Sequence, residues 1–306
     1  MKRVLILTDG KAGHENQSKA FARALGCGFD ICPVRFKSRF HKALSYLFDR
    51  LGVRPKSLFE TERTVERGVY DAVVGAGSGT FYAVKTLSSA VGCRSAAVLY
   101  PRGYRISDFD CVMAPSFDRP VKADNVIEIP ANLVAADEAF YEKGLKEFAE
   151  RHRQTKPAVA VIVGGPNKCS TMTAAWMRGE LEKVFAENPG CEFWVTTSRR
   201  TPAEVERTVE EFPFDYRLIY SKDRFNPIPA FVKSARRLYV TAESTGMLSE
   251  ACTFGEAEVK VLDNLNADGG KFRVFVDGLI AAGYVGGSRK IDLSVEMARA
   301  RVLLGV

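Results

Sequence analysis

Short apolar, β-branched runs recur along the chain with amphipathic stretches between them. This alternation is what βαβ units and a parallel sheet produce. In the first half the runs predict strands at residues 4–7, 29–33, 72–74, 95–99 and 111–114, with a short one at 126–128, and helices near 16–25, 40–51 and 80–89. A charged, helix-favouring stretch, "DEAFYEKGLKEFAERHRQTKP", then closes at Pro157 before a new apolar run, "AVAVIVGG". The pattern restarts there. Strands are predicted at residues 158–163, 192–196, 217–220, 237–240 and 258–261, with helices near 173–187, 202–211, 229–234 and 247–253. An amphipathic helix follows in "KFRVFVDGLIAAGYV", and a final one near 293–304 is expected to pack back on the first half. The expected domains are therefore residues 1–150 and 151–306, with no short repeat or low-complexity tract.

Composition fits this picture and narrows the partners. The chain has 306 residues, 46% hydrophobic and 26% charged, which is enough for two cores. A formal charge of +7 favours an anionic partner such as a phosphorylated metabolite, a lipid headgroup or nucleic acid. Nucleic acid is disfavoured, because the basic residues are dispersed and no recognition motif is present. Seven scattered cysteines without a CxxC pair indicate neither a disulfide framework nor a zinc cluster, and point to a reducing cytoplasm. The apolar run before Thr8-Asp9 is too short for a signal peptide, and no run reaches the ~20 residues of a spanning helix. A cytoplasmic protein is expected. The segment 34–56 interleaves Arg35, Lys37, Arg39, Lys42 and Arg50 with Phe36, Phe40, Leu44, Leu47 and Phe48. It reads either as an ordinary amphipathic helix on the sheet or as a peripheral contact with anionic lipid at the inner membrane.

Four loops carry the candidate chemistry, each following a strand and leading into a helix, where parallel sheets bind ligands. In "LTDGKAGHENQS" (7–18), Gly10 and Gly13 would let a ligand approach the backbone, Asn16 would cap the next helix, and His14 would serve as a base, with Asp9 or Glu15 behind it. In "VVGAGSGTFYAV" (73–84), Gly77 and Ser78 sit in a G-x-G-x-G spacing that suits a phosphate or acceptor loop or a plain tight connection. Neither loop matches the dinucleotide or P-loop fingerprints. In "VIVGGPNK" (161–168), Gly164, Gly165 and Asn167 would offer N–H groups to a phosphate or sugar, with Lys168 adding charge. Nearby "VTTSRRTP" (195–202) places Thr197, Ser198, Arg199 and Arg200 beyond another strand, where arginine forks suit a diphosphate. In "LYVTAESTGMLSEACTFGEAEVKVLD" (238–263), Glu243, Ser244, Thr245, Gly246 and Met247 head a helix that can seat a pyrophosphate. Glu250 lies six residues past Ser244, where its carboxylate could accept both ribose hydroxyls. Each loop also has a plain structural reading as a cap or turn.

Taken together, "TDGKAGHENQ", "GGPNK", "TTSRRTP", "ESTGMLSEA" and "KFRVFVDGLIAAGY" resemble the plant and bacterial family named for mitochondrial fission, the elongated-mitochondria family. The resemblance runs over nearly the whole chain. Bacterial members are often labelled glycosyltransferases or nucleoside-diphosphate-sugar epimerases. Two departures stand out: the family tends to carry Asp-Ser where this chain has Glu243-Ser244, and Gly-Lys-Pro where it has Gly255-Glu256-Ala257.

The resemblance implies an α/β fold of two Rossmann-like domains facing a cleft, as in GT-B glycosyltransferases. It implies that Ser244, Thr245 and Gly246 meet the diphosphate of a nucleotide sugar, that Glu250 meets the ribose, and that the segment around Asn226 lines the base. His14 would face the acceptor. A nucleoside-diphosphate sugar would be co-substrate, with no further cofactor and no metal. The acceptor would be a cell-envelope or lipid-linked saccharide. Two alternatives stand beside this reading: a non-catalytic nucleotide-binding scaffold, and a hydrolysing nucleotide-sugar epimerase.

Overall fold

The computed structural model describes residues 1–306 as two compact units, Met1–Ala135 together with Asp292–Val306, and Ala136–Ile291. The first unit contains β1 (Arg3–Thr8), α1 (Ala12–Leu25), β2 (Gly28–Phe36), α2 (Arg39–Arg50), β3 (Phe59–Thr61), β4 (Ala72–Ala76), α3 (Phe81–Val91), β5 (Arg94–Val98), β6 (Cys111–Pro115) and β7 (Val126–Ile129). Its sheet runs β3-β2-β1-β4-β5-β6-β7 and is parallel throughout except for β3, which pairs antiparallel with β2. The central strands are apolar on both faces because helices cover both, so Val4, Ile6 and Val74 pack on one side while Leu5, Leu7 and Val73 pack on the other.

The second unit contains α4 (Glu138–Ala149), β8 (Ala158–Ile162), α5 (Ala174–Glu187), β9 (Glu192–Thr196), α6 (Ala203–Glu210), β10 (Tyr216–Leu218), α7 (Ile228–Ser234), β11 (Ala235–Thr241), α8 (Thr245–Thr253), β12 (Glu258–Leu262) and α9 (Gly270–Ala281). Its five strands are parallel in the order β10-β9-β8-β11-β12. The last helix, α10 (Ser294–Leu304), buries Met297, Ala300 and Leu304 in the core of the first unit.

The division falls earlier than the expected boundary near residue 150. Helix α4 belongs to the second unit: Gly144 lets it approach Pro229 of α7, where a Cβ would lie 2.5 Å from the proline ring. Its Phe148 stands against Trp194 and Phe231, with ring centroids 5.0 and 5.8 Å away. Amphipathicity shows that such a helix has an apolar face, but not which core the face meets.

One buried carboxylate ties this unit together. Glu192, at the start of β9, is 2% exposed and receives the N–H groups of Thr155 and Lys156 at 2.9 and 3.2 Å, with His152 Nε2 2.7 Å away. Burial pushes its carboxyl up. The Thr155 N–H, His152, the Trp194 indole and the Lys156 N–H outweigh that and bring its pKa down to about 2, from 4.5. A depressed carboxylate stabilises the folded state above its unfolded pKa, and that contribution is lost as pH falls through the folded value. We therefore expect about 3 kcal/mol of stability to disappear between about pH 4.5 and pH 2. Glu192→Gln should flatten that part of the stability-against-pH curve, measured by urea unfolding. An unchanged slope would contradict this account of Glu192.

Candidate functional site

In the first sheet, β1 and β4 are neighbours from which the chain winds away to opposite sides. A crevice opens at such a switch point, beyond the carboxyl ends of the two strands. The loop after β1 holds Asp9 and Gly10, whose φ of +78° is a left-handed turn that a glycine adopts without a Cβ penalty. The helix then begins at once, four residues before the expected start. Lys11 stands at its N-cap, so Gly13, His14, Glu15 and Asn16 are helical, and Asn16 is an exposed interior residue and not the cap.

Asp9 and His14 meet directly. His14 Nδ1 lies 3.0 and 3.1 Å from the two Asp9 oxygens, and Lys11 approaches the same carboxylate through its N–H (3.3 Å) and its ammonium (3.3 Å). Burial works to raise the Asp9 carboxyl, but the charge and hydrogen bond of His14, with Lys11, hold it below the usual range. An ionised carboxylate only accepts, so Nδ1 carries the proton and Nε2 is left as the basic nitrogen. Glu15 is committed elsewhere: it pairs with Lys19 at 2.6 Å, which holds its carboxyl low against burial, helped by the Thr8 hydroxyl. Asp9, and not Glu15, orients the histidine.

The glycine loop after β4 seats this pair. Gly77 has φ +82°, and a Cβ there would lie 2.2 Å from His14 Cε1; a Cβ on Gly79 would lie 2.6 Å from Asp9 Cβ. Gly77 is therefore covered by the imidazole and not presented to a phosphate. Ser78 accepts a hydrogen bond from Lys42 Nζ of α2 at 2.9 Å. A groove lined by Thr8, Asp9, Gly10, Val34, Arg35, Glu60 and Thr61 opens beside Asp9. Lys42, Glu60 and Thr61 are distant in sequence from either loop, and no local pattern marks them.

The second sheet has its switch point between β8 and β11. Here the glycines of the β8 loop are spent within the protein. Gly164 N–H donates to the Thr241 hydroxyl (2.9 Å) and Gly165 N–H to Glu243 Oε1 (2.7 Å), so neither is free for a phosphate as the sequence suggested. Glu243 is 2% exposed, takes the Ser244 hydroxyl at 2.8 Å, and has its other oxygen buried without a partner. It clasps the two loops from inside. Thr197 is also internal, donating to Glu206 and accepting from the Tyr220 N–H, both at 2.8 Å. Ser198 closes a turn with Thr201, and the Asn167 carboxamide accepts the Cys169 N–H at 2.7 Å.

What remains open is the head of α8 and the arginine turn. Because the Ser244 hydroxyl is turned to Glu243, α8 starts without a side-chain cap. The N–H groups of Thr245, Gly246 and Met247 precede the first helical bond, from Leu248 to Ser244. Gly246 is exposed, with nothing within 4 Å of where its Cβ would be. Arg199 and Arg200 are exposed and in no ion pair, and the Arg200 backbone packs on Gly165, where a Cβ would fall 2.3 Å from the Arg200 carbonyl oxygen.

Two further predicted ligand contacts have a protein partner each. Glu250 Oε1 accepts the Tyr141 hydroxyl at 3.0 Å; burial pushes the Glu250 carboxyl up, and that hydrogen bond pulls it partly back. Tyr141, stacked on Phe254 at 4.4 Å, comes from α4, more than a hundred residues away. Asn226 Oδ1 accepts the Ile228 N–H at 3.2 Å, across Pro227 at the N-cap of α7.

The two glycines allow a direct test of this geometry. Gly165→Ala meets a backbone carbonyl that cannot move aside, and a destabilisation of about 1–3 kcal/mol is expected. Gly246→Ala meets open space and should leave the unfolding midpoint almost unmoved. Equal midpoints for the two variants in a thermal melt would refute the packing described for Gly165.

The family model for mitochondrial fission ELM1 matches residues 12–296. The chain belongs to that family. The match covers most of both units and takes in the later loops whole, while of the first loop it takes residues 12–18, from Ala12 onward and without Asp9 and Gly10. Among solved structures, the chain is similar to a UDP-GlcNAc 2-epimerase from Neisseria meningitidis bound to UDP-GlcNAc, at TM-score 0.53 and 12% identity, covering all of both chains. It is also similar to an S. aureus MnaA–UDP co-structure, at TM-score 0.50 and 10% identity, over 99% of this chain and 88% of that one. E. coli ADP-heptose LPS heptosyltransferase II aligns more loosely, at TM-score 0.47 and 10% identity, over 99% and 98%. The search of curated proteins returns no match. At these identities the likeness is one of fold: two Rossmann-like α/β units, the GT-B class expected from the sequence. No helix is long and apolar enough to cross a membrane.

Proposed function

We propose that the chain is a glycosyltransferase that moves a sugar from a nucleoside diphosphate, without a metal ion, to a cell-envelope or lipid-linked acceptor. The observation that carries this reading is the head of α8: three backbone N–H groups without a partner beside an open Gly246, and an unpaired Arg199-Arg200 turn on the same edge of the sheet. Such a mouth suits an anion, and a departing diphosphate gains negative charge that N–H dipoles and guanidinium groups stabilise. The solved structures of similar fold that hold UDP or UDP-GlcNAc support a nucleotide-sugar ligand.

To Asp9 and His14 of the first unit this reading assigns the acceptor side of the reaction. The acceptor oxygen attacks the anomeric carbon, the bond from that carbon to the diphosphate oxygen breaks, and the acceptor proton passes to His14 Nε2. Asp9 fixes the tautomer and stabilises the imidazolium that forms. Glu250, with one oxygen on Tyr141, keeps the other for a ribose hydroxyl. On this reading the chain works in the cytoplasm, peripheral to the inner membrane.

A second reading, a hydrolysing epimerase, draws on the likeness to the N. meningitidis enzyme. Incubation with a panel of nucleoside-diphosphate sugars, with and without an envelope lipid extract, separates them. Release of nucleoside diphosphate that requires the extract supports transfer. Conversion of donor without any acceptor supports the epimerase, and binding without turnover supports a scaffold; either outcome would sink the transferase reading.

A further inference from the structure

Helix α2 presents apolar side chains on two faces. Leu44 and Phe48, with Phe36 before the helix, pack into the core beneath it. The expectation of an ordinary amphipathic helix accounts for these and stops there. Phe40 (68% exposed), Leu47 (51%) and Leu51 (64%) face away from the core, and Val53 (52%) follows. At ~100° per residue, Phe40, Leu47 and Leu51 fall within about 40° of one another. Four of the chain's eleven exposed large hydrophobics thus lie within fourteen residues. A contiguous apolar strip of this kind on a chain's surface marks a contact.

The charge around the strip says with what. Residues 34–58 carry seven Lys or Arg and a single acid, Asp49. That acid is fully buried against Lys85, so no carboxylate of this segment reaches the surface. Lys37, Arg39, Arg50 and Lys56 are exposed and form no ion pair. An apolar ridge flanked by uncompensated cations matches an anionic bilayer, whose headgroups pair with the cations while the ridge enters the acyl boundary. A soluble protein partner would supply paired carboxylates at fixed points; here the cations are strung along the length of the segment, with Arg39 and Arg50 at the two ends of the helix, both about 80–100° around it from Phe40.

We infer that α2 docks the first unit on an anionic membrane surface through Phe40, Leu47, Leu51 and Val53, with Lys37, Arg39, Arg50 and Lys56 on the headgroups. This binding does not rest on the transferase reading. It deepens that reading in one respect: the same helix sends Lys42 to Ser78, in the loop that seats His14, so a docked bilayer would lie next to the place where a lipid-linked acceptor is received.

The test is co-sedimentation of the full chain with vesicles, without any nucleotide sugar. The chain should sediment with phosphatidylcholine vesicles containing about 30% phosphatidylglycerol, not with phosphatidylcholine alone, and be released by about 0.5 M salt. Phe40→Ser with Leu47→Ser and Leu51→Ser should lower partitioning about tenfold or more. Lys37→Gln with Arg39→Gln and Arg50→Gln should lower it on the order of 100-fold, at roughly fivefold per charge. All six positions are exposed, and matching circular dichroism spectra and melting points would confirm that both variants fold. Absence of sedimentation with the anionic vesicles, equal sedimentation with both compositions, or wild-type partitioning of the serine variant would overturn the proposal. So would a solution dimer that the serine variant abolishes, since a second copy would then own the strip.

Discussion

Lys85→Met should destabilise the first unit by about 3–5 kcal/mol, among the largest single-residue effects expected in the chain. Lys85 and Asp49 are both fully buried, on α3 and α2, and pair with each other. Lys85 also donates to the Arg105 carbonyl at 3.1 Å and lies 3.7 Å from Asp108, while Asp49 accepts the Arg105 N–H at 2.7 Å. Burial draws the Lys85 ammonium below its ordinary value, and Asp49 and then Asp108 counter that only in part. Removing one partner leaves the other charge buried without compensation, which costs far more than the pair contributes. Lys85→Met combined with Asp49→Leu should therefore recover much of the loss. Both tryptophans, Trp176 and Trp194, lie in the second unit, so hydrogen exchange of the α2 and α3 amides is the proper readout. Protection that is unchanged in the single variant would refute the role assigned to this pair.

His14→Ala is the second large effect. On the transferase reading it removes the base that takes the acceptor proton, and kcat should fall about 10²- to 10⁴-fold with donor affinity retained. Asp9 acts through His14 as a positioning residue. Asp9→Asn should lower kcat as well, with the KM for the donor unchanged, because a carboxamide can turn its NH2 to Nδ1 and no longer fixes the tautomer that leaves Nε2 basic. Restoration of turnover by Asp9→Glu would support the positioning role, and a kcat that Asp9→Asn leaves at the wild-type value would contradict it.

The strands were readable in the sequence because a parallel sheet covered on both faces needs continuous apolar runs, and "VLIL", "AVAVI" and "RLYV" are such runs. Two features escaped for physical reasons. Residues 12–15 looked like loop because glycine, histidine and glutamate there lack apolar periodicity, yet helix α1 begins at Ala12 with Lys11 as a cap that makes no side-chain bond. The antiparallel edge β3 is three residues long, too short to carry any period. The four loops were legible as candidate sites because a strand that runs into glycine and small polar residues before a helix leaves backbone N–H groups beyond the sheet, where ligands can bind. Their internal division was not. Spacing places Glu243, Ser244, Gly164 and Gly165 at one switch point, but only packing shows that Glu243 turns inward to hold Gly165 while Gly246 stays open. The tyrosine on one oxygen of Glu250 was not legible, because Tyr141 is distant in sequence and nothing near Glu250 announces it.

The central claim is that the head of α8 holds a diphosphate, and calorimetric titration with UDP, ADP and GDP in chelator-treated buffer tests it most directly. The account predicts saturable binding of one molecule per chain by at least one of the three, weakened about tenfold or more by Gly246→Asp, which sets a carboxylate among the free N–H groups. Absence of binding by all three, or binding that Gly246→Asp leaves unchanged, would contradict it.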